Sequence, residues 1–240
     1  MGDIYQELKN RALDVISKDL LDNMIRIKAR ALSTEEAIGD PESDDFPLQK
    51  GKERLMQAEF NSSAGQAFTD QYGDFEGPLA DILEMELSNN YRRALFIASL
   101  NAVLRHIGKT DRTIHCHDIA PGQCAVELCE YIKNLYNPVK ITQIGYQPAM
   151  VKSLAASFNL RVIDLDEDNI GATKSEVVIE GPKATTDAIK WCDLLLVTGS
   201  TVVNGTIEQF LDKDPVLFYG TTIAGPASLM GWDRFCPKAK

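Results

Sequence analysis

The sequence predicts an α/β protein in two parts: a parallel sheet covered by helices in the C-terminal half, preceded by a smaller α+β unit. Three observations carry this expectation. From residue 112 onward, short continuous apolar runs alternate with amphipathic segments, as in "VKITQIG", "PAMVKSLAASF", "RVIDLD" and "DLLLVTG". Strands that are apolar on both faces and alternate with helices belong to parallel sheets buried between helical layers. Before residue 108 the pattern differs: Ile25, Ile27, Ala29 and Ala31 are interleaved with Arg26, Lys28 and Arg30, the mark of a sheet with one wet face. Between the two regions, Ala94 to Leu104 would be apolar nearly all round a helix, so that helix should be buried.

The elements follow in order. A helix is expected over Asp3–Lys18, where Ile4, Leu8, Ala12, Val15 and Ile16 share one stripe. The strand around Arg26–Ala31 should pair with "RLMQAEFN", across the acidic "GDPESDDFP", whose two prolines suit an exposed loop or hairpin tip. A long helix starts near Tyr91, with Ser88, Asn89 or Asn90 as its cap and Gly108 as its close. Asn101 lies within its apolar stretch, and a buried amide needs partners. The C-terminal half begins with "RTIHCHD" as a strand and "CAVELCEYIKNLY" as a helix. Further strands are expected in "SEVVIEG" and "PVLFYG", and further helices in "TTDAIKW", "TIEQFLD" and "PASLMG". The domains are therefore placed at residues 1–110 and 111–240.

The totals narrow the function. A net charge of -10 repels phosphate backbones and anionic membranes, so neither nucleic acid nor a membrane is expected as a partner. No apolar run approaches the roughly 18 to 20 residues of a membrane helix, and the N-terminus has no signal-peptide apolar region. A cytoplasmic protein with five free thiols is the expectation. A homo-oligomer stays open.

Three glycine turns follow strands at what should be one edge of the sheet: "GYQP", "TGSTVVNGT" and "YGTTIAGP". Ligands of open parallel sheets sit at the carboxyl ends of the strands, which makes Gly145, Tyr146, Thr198, Gly199, Ser200, Thr201, Asn204, Gly205, Thr206, Gly220 and Thr221 candidate ligand-binding residues. The helix starts at Pro148 and Pro226 could offer free amides to an anion. Each turn alone is equally an ordinary strand-to-helix connection. No G-x-G-x-x-G occurs, so an ordinary NAD site is not supported. Asp164 lies at the spacing of about 20 residues where a Rossmann fold places its ribose-binding acid.

The stretch "HCHDIAPGQCAVELC" concentrates metal-type donors. Its spacing matches no zinc-finger pattern, and on a strand His115 and His117 would face away from Cys116. A transition metal held by His117, Asp118 and Cys124 is the candidate cofactor. The competing reading is a reduced, structural stretch with Cys116 and Cys129 as small core residues.

The glycine turns "TGSTVVNGT" and "IGYQP", with the apolar helix "ALFIASLNAV", resemble the putative heavy-metal-chelation family of bacteria and archaea, over most of the chain. The resemblance implies a Rossmann-like C-terminal domain and a small enolase-N-terminal-like α+β domain that frame a shared cleft. Carried over, it points to Gly145, Tyr146, Thr198, Gly199, Ser200, Asn204, Gly205 and Thr206 as cleft residues, with Asn101 facing the same cleft. Three functions follow for the chain: binding of a small ligand in the interdomain cleft, including heavy-metal chelation; a lyase or transferase acting on a phosphorylated or nucleotide-like small molecule; or a scaffold or assembly factor. An enzyme would draw its base from His115, His117, Asp164 or Cys124.

Overall fold

The computed structural model describes residues 3–22, 26–39 and 53–240, so all but the first residue of the acidic "GDPESDDFP" segment lies outside the described residues. Two separate sheets form. The smaller is antiparallel, with β1 (Arg26–Ala31), β2 (Arg54–Phe60), β3 (Ser63–Thr69) and β4 (Phe75–Pro78) in the order β3-β2-β1-β4. Strand β1 pairs antiparallel with β2, as their alternating patterns predict. Its helices are α1 (Ile4–Val15), α2 (Lys18–Asp22), α3 (Thr34–Ile38), α4 (Leu79–Glu84) and α5 (Asn90–His106). Helix α5 starts where the cap residues predict: the Asn89 side chain accepts from the Arg92 amide at 2.9 Å.

The larger sheet has seven strands, in the order β11-β10-β9-β5-β6-β8-β7. They are β5 (Lys140–Ile144), β6 (Asn159–Ile163), β7 (Thr173–Lys174), β8 (Val177–Glu180), β9 (Leu194–Thr198), β10 (Val216–Tyr219) and β11 (Arg234–Phe235). All neighbours pair parallel except β7 and β8. The connecting helices are α6 (Ala120–Leu135), α7 (Pro148–Ala155), α8 (Thr185–Trp191), α9 (Thr201–Asn204) and α10 (Ala224–Met230). Strand β9 shows why its apolar run is continuous. Leu194 and Leu196 pack with Leu128 of α6 and Leu154 of α7, while Leu195 and Val197 join the core that contains α5. Both faces are dry, so neither can be polar.

Two expected elements differ. Residues 112–118 form no strand. The Gln66 amide donates to the Thr113 carbonyl, and Ile114 exchanges two hydrogen bonds with Lys240. With the small sheet on one side and the last residue on the other, the segment has no strand partner to form a ladder. Thr113 and Cys116, three residues apart, are its buried residues, a spacing unlike the period of two of a strand. The expected helix in "TIEQFLD" is only a short 3-10 turn, Ile207–Phe210.

Helix α5 belongs to both halves. Every residue from Ala94 to Leu104 is buried, because one side lies on β2 and β3 and the other meets α9 and α10. One apolar core therefore runs from Leu8 and Phe60 through α5 to Val197 and Phe218. Asn101 is the polar exception within it. Its Nδ2 donates to the carbonyls of Gln66 (2.9 Å), Thr222 (3.1 Å) and Thr221 (3.3 Å), and its Oδ1 accepts from the Gly225 amide at 2.6 Å. The approach is close enough that a Cβ on Gly65 would run into Ala102 N and Ala98 O of α5.

Asn101→Ala removes the Asn101 partner of the Gln66 and Thr222 carbonyls and of the Gly225 amide, while the Thr221 carbonyl keeps the Ala224 amide. We expect a loss of about 3 kcal/mol or more in urea unfolding, against less than about 0.5 kcal/mol for the exposed Gln6→Ala. Equal losses at the two positions would refute the role given to Asn101.

Candidate functional site

The chain leaves β5 for β6 and β8 on one side, then returns to β9 and continues to β10 on the other. The strand order reverses between β5 and β9, which is where open parallel sheets leave a crevice at their carboxyl ends. Gly145 and Gly199 end these two strands. Gly145 has φ +90, and a Cβ there would lie 2.7 Å from Thr198 Cγ2, so only glycine lets the two turns approach so closely. A cavity of about 570 Å³ opens at this point.

The three predicted turns meet at this cavity. Gly145 and Tyr146, then Thr198, Gly199, Ser200, Thr201, Asn204 and Thr206, and finally Gly220 all line it, as does Asp164. The turn after β9 is held from behind: Arg93 Nε donates to the Val203 carbonyl at 2.6 Å, and the Tyr5 hydroxyl to that of Val202 at 2.7 Å. Three predicted residues stay outside the lining. Asn101 has its hydrogen-bonding capacity committed inside the fold, as described above. Gly205 takes a left-handed φ of 74 to end α9 and packs against the Arg93 guanidinium. Thr221 is buried, with its Oγ1 unpartnered.

The β2–β3 hairpin supplies Glu53, Phe68 and Asp70, and the start of α5 supplies Asn90; sequence reasoning did not find them as site residues. Glu53 and Asp70 flank a paired position, Arg54 opposite Thr69, so the β2–β3 register brings them together across the hairpin. Only that register, not sequence proximity, signals them. His115, Cys116, Asp166, Asn169 and Cys236 add to the polar lining, as do Gln147, Thr185, Gln209 and Thr222. Among the described residues, no Lys or Arg lines the cavity.

Asp164 organises its own turn. Its Oδ2 accepts from the Tyr146 amide at 2.6 Å, and its Oδ1 from the Asp166 amide at 2.7 Å. Asp70 accepts from Asn90 Nδ2 at 2.7 Å. Asn169 is 2% exposed, and its Oδ1 has no partner. Burial, reinforced by Asp164, Asp70 and Asp166, pushes the Glu53 carboxyl up to about 7. Burial holds the His115 imidazole down to about 4, with Nδ1 unpartnered and the ring edge-on to Phe68 at 5.2 Å.

The expected metal set is not assembled. Among the described residues, no group of three or more His, Cys, Asp or Glu could hold a metal ion. Of His117, Asp118 and Cys124, only Cys124 lines the cavity. The loop turns away instead: the Asp118 amide donates to the Ile38 carbonyl, and its carboxylate packs against Gly39. Cys116, Cys124 and Cys236 do gather around the cavity, but as free thiols. Burial pushes Cys116 up to about 12 and raises Cys124 and Cys236 as well, and a protonated thiol is a poor metal ligand. The residues present therefore do not fit a metal bound by protein donors alone.

The two shifted groups act oppositely on stability. Glu53 has a raised folded value, so its contribution is full below the ordinary value of 4.5 and is lost as pH rises to about 7. His115 has a lowered one, so its contribution is present above 6.5 and lost as pH falls to about 4. Glu53→Gln should therefore make the variant gain more stability between pH about 5 and about 7 than the native chain does, by on the order of 2 kcal/mol in urea unfolding. An unchanged difference between the two pH values would contradict the burial of this carboxyl.

A family model described as DUF364, putative heavy-metal chelation, matches residues 130–227. No curated protein matches the chain. A DUF364 protein of unknown function from Pyrococcus horikoshii superposes with a TM-score of 0.59 at 16% identity, over 92% of this chain and 80% of that one. Another, from Desulfitobacterium hafniense DCB-2, gives 0.55 at 14% identity, over 95% and 83%. At such identities the likeness is one of fold. The matched segment contains the turns after β5, β9 and β10, so the resemblance expected from those turns holds: residues 130–227 match the model of the DUF364 family, and the chain shares its fold with two solved members of that family.

Proposed function

We propose that the protein binds a small organic ligand in the cavity at the carboxyl edge of the larger sheet. One observation carries the reading: the cavity lies at the strand-order reversal, and its wall is built from both sheets. Its volume of about 570 Å³ falls in the range of roughly 300 to 1,000 Å³ typical of small-molecule sites. Heavy-metal chelation, the description of the family, fits this chain in one form. The described residues gather no three-donor set, so a metal would be handled through a chelating small molecule lodged in the cavity.

A second reading, an enzyme, is favoured by Glu53. A carboxyl that titrates near neutrality inside a cavity can exchange a proton with a bound molecule. Phosphorylated substrates suit this site poorly, because four carboxylates and no Lys or Arg line it among the described residues.

The test uses Ser200→Trp. Ser200 lines the cavity and its side chain makes no capping hydrogen bond, so an indole there fills the space without removing a structural contact. The native chain should retain a small molecule in native mass spectrometry, or gain about 2.7 kcal/mol in thermal stability with a ligand at a hundred times its Kd. Ser200→Trp should lose both while keeping the native circular dichroism. No retained mass and no stabilisation by any member of a broad metabolite library would overturn the reading.

A further inference from the structure

We propose that the ligand is an organic cation, an ammonium or amidinium group on an apolar body, whose N–H donors are received by Glu53, Asp70 and the free oxygen of Asn169. This rests on the binding reading above and gives it a chemical class.

The first argument is the fate of the backbone donors. Glycine turns and helix starts ordinarily make an anion site, and the sequence alone favours that outcome. Here five of those donors, in the turns after β5 and β9, are committed internally. The Tyr146 amide donates to Asp164, the Met150 amide to Gln147 Oε1, and the Gly145 amide to the Ile163 carbonyl. After β9, the Gly199 amide donates to the Tyr219 carbonyl, and the Ser200 amide to Thr198 Oγ1. The Tyr219 hydroxyl points its proton at the Gly145 carbonyl, at 2.8 Å. An incoming anion would find a carboxylate already holding the turn.

The second argument is what remains unpaired. Asn169 Oδ1, on a residue 2% exposed, is an acceptor with no donor. It belongs to the same cluster as Asp164, to which its Nδ2 donates at 3.4 Å. Such an oxygen calls for an N–H or O–H from a ligand. The His115 Nδ1 is a second buried atom without a partner. The β2–β3 register sets Glu53 beside Asp70, and both line the cavity together with Asp164; a cation placed among them offsets their mutual repulsion.

The third argument separates an organic cation from a metal ion. Among the described residues no three His, Cys, Asp or Glu form a group that could hold a metal ion, so the carboxylates of the cavity do not meet at one point. A molecule with several N–H groups can span them, and a point charge cannot. Phe68, Ile144, Met150, Phe210 and Phe235 also line the cavity, which suits an apolar or aromatic body.

The experiment measures calorimetric affinity for tryptamine, agmatine and spermidine, set against indole-3-acetate, glutarate and inorganic phosphate. At pH about 8 at least one cation should bind about tenfold or more tightly than its anionic counterpart, and Glu53→Gln should weaken it about tenfold or more, the loss expected for a hydrogen bond to a charged group. Asp70→Asn should weaken the same cation, which keeps the test decisive if Glu53→Gln folds poorly. Near pH 6 cation binding should release protons, read as a dependence of the enthalpy on buffer ionisation, and Glu53→Gln should abolish that release. Anions binding more tightly than cations, or a cation indifferent to both substitutions, would overturn the proposal. So would the absence of cation binding at about millimolar concentrations. If anions bind and Ser200→Trp abolishes their binding, the cavity reading survives and the cationic class falls; if nothing binds and no metabolite stabilises the protein, both fall.

Discussion

Asn101 spends its entire side chain on joining two sheets. Its amide reaches a β3 carbonyl on one side and two turn carbonyls after β10 on the other, while its oxygen takes the Gly225 amide. Helix α5 can be buried all round only because this residue satisfies backbone groups that water cannot reach. The cavity depends on the same arrangement. If α5 shifted, the ends of β2 and β3 that carry Glu53 and Asp70 would lose their station opposite the turns of the larger sheet.

The site is built on a substitution of one anion for another. Strand-to-helix turns at a strand-order reversal usually leave amides facing outward, ready for phosphate or carboxylate. In this chain Asp164 takes that place from within, accepting from the Tyr146 and Asp166 amides. The turn is thereby rigid without a ligand, and its outward character changes sign. Glu53 and Asp70, brought in by the small sheet, add to a negative field that has no lining Lys or Arg to balance it among the described residues. Burial first, and the neighbouring acids second, raise the Glu53 carboxyl.

The thiols follow the same physical logic. Cys116, Cys124 and Cys236 share the cavity wall, and burial keeps them protonated. They act as small apolar surface beside Met150 and Phe235 rather than as ligands. Heavy-metal chemistry on this scaffold therefore needs donors that the chain does not itself assemble among its described residues.

The sequence by itself determined the fold class, the pairing of β1 with β2 and the strands β5, β6, β8, β9 and β10, because periodicity is a local property; it did not mark β3, β4, β7 or β11, whose places depend on their neighbours. It also located the three glycine turns, since Gly145 and Gly199 are required by backbone geometry that neighbouring residues reveal. It misjudged residues 112–118, which hydrogen-bond to Gln66 and Lys240 without forming a strand, and it grouped His117, Asp118 and Cys124 by spacing although their loop turns apart. What only the tertiary structure decided is the character of the cavity. Asn101 lies inside the fold rather than at the ligand, and Asp164 consumes the donors of its turn. Glu53 and Asp70 arrive from more than 90 residues away from Asp164 in sequence. Electrostatic character is set by distances between side chains, and those distances exist only once the chain has closed on itself.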